Sequence, residues 1–422
     1  MGSTAESAGT QRVFIDVTRS LRPDAAGTEA SRIQRHMVEH LARDPAFAVD
    51  FVVHERGAYR LVPRKEDDDQ AAAATAAEPP KRTGNILGVL MARLRRRSIP
   101  TPAADQETAP IHANPFRSGD VFLCTADFQD DMDYGGLGRL GAETGVRVIG
   151  VVHDVARLAL PHLVPEPADR LHRHCVEIGH ASECLIVPSQ FSAESYDRLV
   201  AKPNDIDVPV HVAPLPNVLR ERADEVADSP VPELEGCPFV LYRAPIEARK
   251  NHMLALNLWD ELRERLSPEA LPLLVLAGDW GWGVESVQRL IESNRRLRPH
   301  VRVLPGLSDA EAIWLQRNAR FCIFPSLVED SGHLAAESLA FGTPVVVSTC
   351  PSLLEATEGL MPSFHPHDFP GWLRELERLI VDDSQLAALR QAAPRYRGPA
   401  REAFVARIRE VIATPAARRS AT

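Results

Sequence analysis

FPSLVEDSGHLAAESLAFGTPVVVS, residues 324–348, is the stretch that decides the fold. Residues 321–326 make a short apolar strand and residues 335–341 favour helix. Gly342-Thr343-Pro344 punctuates, and Val345, Val346 and Val347 make a second buried strand. Strand, loop, helix and strand in that order form a βαβ unit, which places its loop and helix N-terminus at the carboxyl edge of a parallel sheet, where ligands bind. The free N–H groups of a helix start favour a phosphate or a sugar hydroxyl. Glu329 and Glu337 stand eight positions apart around a Ser331-Gly332-His333-Leu334 turn. Two carboxylates are strange company for a phosphate alone, so the pattern asks for a ligand that also carries hydroxyls. A nucleotide sugar meets both demands.

Upstream, a second motif supplies the opposite charge. Tyr242-Arg-Ala-Pro-Ile-Glu247-Ala-Arg249-Lys250-Asn251-His252 lies between a strand at 239–242 and a helix running to about 266. Adjacent cations at a helix start can neutralise a diphosphate that the helix dipole, equivalent to about half a charge, cannot. Arginine offers a planar fork and lysine a mobile point charge. The surrounding sequence alternates regularly, with strands at 273–277 and 301–304 and helices at 284–296 and 309–318, which implies a parallel sheet with helices on both faces.

Length and composition set the frame. A chain of 422 residues exceeds one ordinary core, and two α/β domains are expected. No apolar run reaches about 18 residues, and the N-terminus lacks an apolar signal region. The net charge of −10 argues against general nucleic-acid binding. Cys124, Cys175, Cys184, Cys237, Cys322 and Cys350 are scattered without a C-x-x-C pair, which predicts buried thiols in a reducing cytoplasm. Strands are expected at 13–17, 48–53, 59–62, 121–124, 146–152, 184–187 and 210–213, with helical periodicity at 30–42 and a final helix around 401–412. Residues 64–117 carry an acidic run, an alanine tract, prolines and a basic cluster, the composition of a flexible insertion. Within it, the spacing of apolar residues predicts an amphipathic helix over 85–97 that ends in arginines. That helix suits an anionic membrane surface or a partner, and, as the slightly favoured reading, packing on its own domain.

The segment from Glu329 to Glu337 resembles the E-x7-E signature of the GT4 family of retaining glycosyltransferases, and 247–252 resembles that family's E-x-R-K-N-H motif. Three further stretches are similar to it: Gly278-Asp279-Trp280-Gly281-Trp282, Gly306-Leu307-Ser308, and Val152-His153-Asp154 at a strand end. Residues 14–18 with 32–35 are similar to the opening of a mannosyltransferase-like branch. The departures are Asp330 for a glycine, Ser331 for an aromatic, Ala335 for a proline, Arg157 for a proline and Arg32 for a glycine.

The resemblance implies an α/β protein of the GT-B fold. Its two Rossmann-like, doubly wound domains face a cleft, and a C-terminal helix crosses back to the N-terminal domain. The implied layout is a loose start at 1–10, an acceptor-side domain at 11–221 interrupted at about 64–117, and a linker at 222–236. A nucleotide-sugar domain at 237–398 and a crossing helix with tail at 399–422 complete it.

The resemblance also implies roles. Arg249 and Lys250 hold the departing diphosphate, Glu337 the ribose, Glu329 the donor sugar, and the backbone of Gly332, His333 and Leu334 supports sugar or phosphate. Gly306 and Leu307 meet the base, and His153 sits beside the reacting centre. The implied reaction moves a hexose from a nucleoside-diphosphate sugar, with GDP-mannose weakly favoured, to a lipid-linked or growing glycan in bacterial surface polysaccharide synthesis. It needs no cofactor and no metal, and it takes place in the cytoplasm or at the inner face of the cytoplasmic membrane. Two alternatives stay open: a non-catalytic GT-B protein that binds a glycan or a partner, and another reaction on the same scaffold, such as nucleotide-sugar epimerisation or inverting transfer. Gly136-Leu-Gly138-Arg-Leu-Gly141 spells G-x-G-x-x-G but precedes a strand instead of following one. The D-x-D pairs Asp131/Asp133 and Asp205/Asp207 lie outside the nucleotide half, so neither is expected to bind metal.

Overall fold

The computed structural model describes residues 10–18, 34, 37–38, 40–55, 58–62, 115–125, 134–163 and 168–414. Residues 64–114 of the insertion expected at 64–117, its expected helix at 85–97, Arg32 and the Asp131/Asp133 pair fall outside the described residues, whereas Phe116, within the expected insertion, is buried in the N-terminal core. Of the helix expected at 30–42, Gln34, Met37, Val38, His40 and Leu41 are described and helical.

Two sheets organise the chain. The first contains β1 (Gln11–Asp16), β2 (Phe47–Glu55), β3 (Ala58–Leu61), β4 (Val121–Cys124), β5 (Arg147–Val151), β6 (Cys184–Val187) and β7 (Val210–Val212), in the order β3-β2-β1-β4-β5-β6-β7. Only the edge pairing of β2 with β3 is antiparallel. The second contains β8 (Phe239–Arg243), β9 (Leu273–Ala277), β10 (Val301–Leu304), β11 (Cys322–Phe324), β12 (Val345–Ser348) and β13 (Ser363–Phe364), all parallel, in the order β10-β9-β8-β11-β12-β13. Helices cover both faces, so these strands read as unbroken apolar runs. Val345, Val346, Val347, Val240 and Leu241 are all fully buried.

The order of the second sheet is that of a Rossmann domain, and the connections reverse direction between β8 and β11. The chain therefore leaves a crevice at the carboxyl ends of those neighbouring strands. Both charged motifs empty into it, one following β8 and the other β11.

Each sheet has its own core, and the C-terminal helix joins the first of them. Helix Arg401–Ala413 inserts Phe404, Ile408, Val411 and Ile412 among Val13, Ile15, Val49 and Ile149 of the N-terminal domain. Arg147 fastens it by donating to the carbonyl of Ile412 at 2.7 Å, so the expected crossing helix is present. The segment at 222–236 is only partly a free connection. A short helix, Val218–Arg222, precedes it, and Val231 and Leu234 are buried in the C-terminal core. Gly136, Gly138 and Gly141 lie on helix Tyr134–Thr144, leading into β5 and away from either charged motif. Asp205 and Asp207 are exposed near a left-handed turn at Asp205. Among the described residues, no helix is long and apolar enough to cross a membrane.

Candidate active site

After β8 the chain makes one tight turn, Ala248–Lys250, and Asn251 then adopts the left-handed conformation (φ 60°) before helix His252–Arg265. An asparagine tolerates that backbone better than most residues because its short polar side chain bonds locally. Here Asn251 Nδ2 donates to the carbonyls of Pro325 (3.1 Å) and Pro366 (3.2 Å). The Tyr242 hydroxyl donates to the carbonyl of Lys250, and the Leu327 N–H donates to that of Arg249 at 2.8 Å. With its backbone pinned on both sides, the turn directs Arg249 and Lys250 inward, each only 4% exposed.

Glu329, on the loop after β11, meets them there. Lys250 Nζ lies 2.5 and 2.7 Å from its two oxygens, Arg249 Nη1 lies at 2.9 Å, and the Ser326 hydroxyl donates at 2.7 Å. Burial alone would push this carboxyl up, but Lys250 and then Arg249 outweigh it and hold the group at about 2. Glu247 forms a further ion pair with Arg249 Nε at 2.8 Å. Burial disfavours the charged arginine, and Glu247 and Glu329 more than offset that, raising its pKa. Arg249 and Lys250 therefore face Glu247 and Glu329 in a charge-balanced, buried cluster.

The turn that follows needs its glycine. Gly332 has φ 64° at the start of helix His333–Ala340, and a Cβ there would meet the Ser352 carbonyl at 2.8 Å and Ala356 Cβ at 2.9 Å. The Ser331 hydroxyl lies 2.9 Å from His333 Nδ1. Lys250, Glu329, Gly332, His333 and Leu334, all singled out from sequence, line one cavity with about 190 Å³ of empty volume.

Glu337 stands apart from that cluster. Its carboxylate pairs with Arg243 at the end of β8 and accepts the Leu219 N–H at 3.1 Å, which ties it to helix Val218–Arg222 between the domains. Arg243 was not singled out in the sequence; its only signal is a charge ending an otherwise apolar strand. Gly306 (φ 64°) donates its N–H to Asp279 at 2.8 Å, joining the loops after β9 and β10. Leu307 packs against the C-terminal core, and Ser308 caps helix Asp309–Asn318 in a reciprocal box with Glu311.

The N-terminal domain closes the other wall. His153 follows β5 and is buried at 5% exposure. Burial, and next the neighbouring His153, lower the pKa of His174 to about 3. Two and three residues beyond His153, the N–H groups of Val155 and Ala156 donate to Asp330 of the opposite domain at 2.8 and 2.7 Å. Arg157 pairs with Asp154 at 2.8 Å and lies over the Trp282 ring at 5.4 Å. Trp282 Nε1 in turn donates to the Leu163 carbonyl at 2.8 Å. Asp330 and Arg157, two of the departures from the resembling motif, thus reach across the cleft, the first by hydrogen bonds and the second by its cation–π contact with Trp282.

Residues 225–393 match the family model described as glycosyl transferases group 1. Those residues form a glycosyl transferases group 1 domain. Similar proteins include the D-inositol 3-phosphate glycosyltransferase of Salinispora arenicola, 26% identical over 278 residues, with 62% of each chain covered. The O-antigen chain mannosyltransferase B of Escherichia coli is 25% identical over 244 residues, covering 56% of this chain and 62% of that one. The chain thus spans about three-fifths of the length of these curated relatives. Among solved structures, Anabaena HepE in complex with UDP and glucose superposes with a TM-score of 0.59 at 14% identity, covering 96% of this chain and 99% of that one. The fold is GT-B. In the group 1 domain, the crevice between β8 and β11 gathers Arg249, Lys250, Glu329, Gly332, His333 and Leu334, whereas Glu337, Gly306 and Leu307 occupy its flanks.

Proposed function

We propose that the protein transfers a hexose from a nucleoside-diphosphate sugar to a hydroxyl of a glycan or lipid-linked acceptor, with retention of anomeric configuration. The observation that carries this reading is the Arg249–Lys250 pair, buried at the switch point of a group 1 domain and balanced by Glu329. A buried cation pair held by a resident carboxylate is prepared to exchange that partner for a diphosphate. On donor entry the two cations take the phosphates, and Glu329 turns to the sugar hydroxyls. Arg249 and Lys250 then neutralise the charge that develops as the nucleoside diphosphate departs, on the face from which the acceptor hydroxyl attacks. Catalysis is positioning and charge stabilisation, with His153 placed at the opposite wall.

Mannose is the favoured sugar and GDP the favoured nucleotide, from the likeness of the N-terminal motif to a mannosyltransferase branch; the likeness to an O-antigen mannosyltransferase points the same way. UDP-sugars form the competing class, since HepE was solved with UDP. Assembly of a bacterial surface polysaccharide is the setting we infer.

The test is thermal stabilisation of the wild type and of Arg249→Ala by GDP-, UDP-, ADP- and dTDP-sugars, each variant compared with its own ligand-free midpoint. Binding to the native state alone raises stability in proportion to the logarithm of concentration over affinity. Stabilisation of the wild type by one donor, and not of the variant, is expected. No stabilisation by any donor would overturn the reading and favour a non-catalytic scaffold.

A further inference from the structure

Asp330 stands where the resembling motif carries a glycine, and its bonds run to the other domain. Its Oδ1 accepts the N–H groups of Val155 (2.8 Å) and Ala156 (2.7 Å), and its carbonyl accepts the hydroxyls of Ser189 and Ser192 (2.9 Å). These four donors all belong to the N-terminal domain, and Asp330 is 2% exposed between the two walls. One residue earlier the pattern reverses. The Glu329 carboxylate is held by Arg249, Lys250 and Ser326, and its carbonyl accepts the Ser352 hydroxyl at 2.7 Å, all groups of the C-terminal domain. The peptide between Glu329 and Asp330 is therefore a seam, with one side anchored in each domain.

Parting of the two walls breaks the bonds to Asp330 and leaves those of Glu329 in place; closing remakes them and returns His153, two residues before Val155, to the wall that faces the Glu329 loop. Domains joined across a cleft move by hinging, and completing a catalytic arrangement on closure is a familiar use of such motion.

We propose that Asp330 is a positioning residue: a latch that holds the interdomain cleft closed and so keeps the N-terminal wall that carries His153 beside the loop that carries Glu329. The inference rests on the donor-site reading above and adds a residue to it. A glycine at this position has no side chain with which to make the connection. An asparagine keeps an Oδ1 that accepts the same N–H groups, whereas alanine keeps none.

The test uses the full chain with a pair of spin labels, one on Cys237 and one on an engineered Glu143→Cys. Cys237 is exposed and the other cysteines, Cys124, Cys175, Cys184, Cys322 and Cys350, are buried, so labelling is selective. The labelled protein and its Asp330→Asn form are expected to share one short interdomain distance, and Asp330→Ala to add a longer, broader population. Donor turnover by Asp330→Ala is expected to fall about ten-fold in kcat with donor Kd within about two-fold, and Asp330→Asn to recover most of the loss, because misplacement by a fraction of an ångström is costly to a positioned group. An unchanged distance in Asp330→Ala, a longer distance with unchanged kcat, or an asparagine variant that opens as far as alanine would each overturn the latch. A wild type that binds no donor would overturn the donor-site reading, and the distance comparison would still decide the latch.

Discussion

The two walls of the cleft are built from different chemistry. The C-terminal wall presents ionised side chains: Arg249, Lys250, Glu247 and Glu329, all buried at the carboxyl ends of β8 and β11. The N-terminal wall presents backbone N–H groups and hydroxyls, from Val155, Ala156, Gln190, Ser189 and Ser192, with Asp154 and Arg157 paired to each other beside them. A charged ligand therefore has its principal partner on one side only, while the other side contributes geometry. The contrast teaches that binding and closure are separable, because side chains that neutralise charge differ from those that hold the walls together.

The sharpest way to break the comparison is to remove a cation. Lys250→Ala leaves Glu329 buried with fewer partners, and loss of one member of a buried ion pair costs about 3–5 kcal/mol. Donor turnover should fall by about 10²–10³, the size of effect seen when a transition-state charge partner is deleted. Steady-state kinetics and denaturant unfolding measure the two losses. A variant of near wild-type stability would mean that the cluster is not a closed electrostatic unit.

Acid should act on the same wall. The Glu329 pKa lies below its unfolded value, at about 2, so its contribution is fully present above pH of about 4.5 and is lost as pH falls toward 2. Its size is roughly 3 kcal/mol at 1.36 kcal/mol per pH unit of displacement. Stability curves for the wild type and Glu329→Gln should converge over that window, and parallel curves from pH 5 to pH 2 would contradict the assignment.

Gly332→Ala probes the turn between the walls. It combines a left-handed backbone, which costs about 1–3 kcal/mol for a non-glycine residue, with a clash against the Ser352 carbonyl. Unfolding measurements should find at least that loss, and donor Kd should weaken because Gly332 lines the cavity.

The smallest effect is expected at the exposed edge of the seam, from a residue of the C-terminal domain. Glu355 accepts the N–H groups of Gln190 (2.9 Å) and Phe191 (3.3 Å) at a solvent-exposed part of the seam. Glu355→Ala should cost about 1 kcal/mol, the scale of an ordinary hydrogen bond, and leave donor affinity within about two-fold. A larger loss of affinity would mean that the two walls are not separable.

The same contrast governs what could be read in the sequence. β4, β6, β9, β10 and helix Asp309–Asn318 fall where the apolar runs and their breakers place them. The cation turn and Glu329 were legible because charged residues interrupt a regular strand–helix alternation at the one sheet edge suited to a ligand. The cross-cleft bonds were not, because a backbone N–H has no signature of its own. Asp330 and Arg157 stood out only as departures from a motif, and the pairing of Glu337 with Arg243 and with the Leu219 N–H depends on partners 94 and 118 positions away. Helix Phe369–Val381 was overlooked because its Pro370-Gly371 start reads as a breaker, although a proline in the first turn behind the Asp368 cap is a favourable opening.

The most direct test of the central claim, that Arg249 and Lys250 form a diphosphate site, is calorimetric titration of the wild type and Lys250→Met with the diphosphate and monophosphate of the preferred nucleoside. The wild type should bind the diphosphate at least about ten-fold more tightly, equivalent to about 1.4 kcal/mol, and the variant should lose that preference. Equal preference in both proteins would place the diphosphate elsewhere and contradict the account.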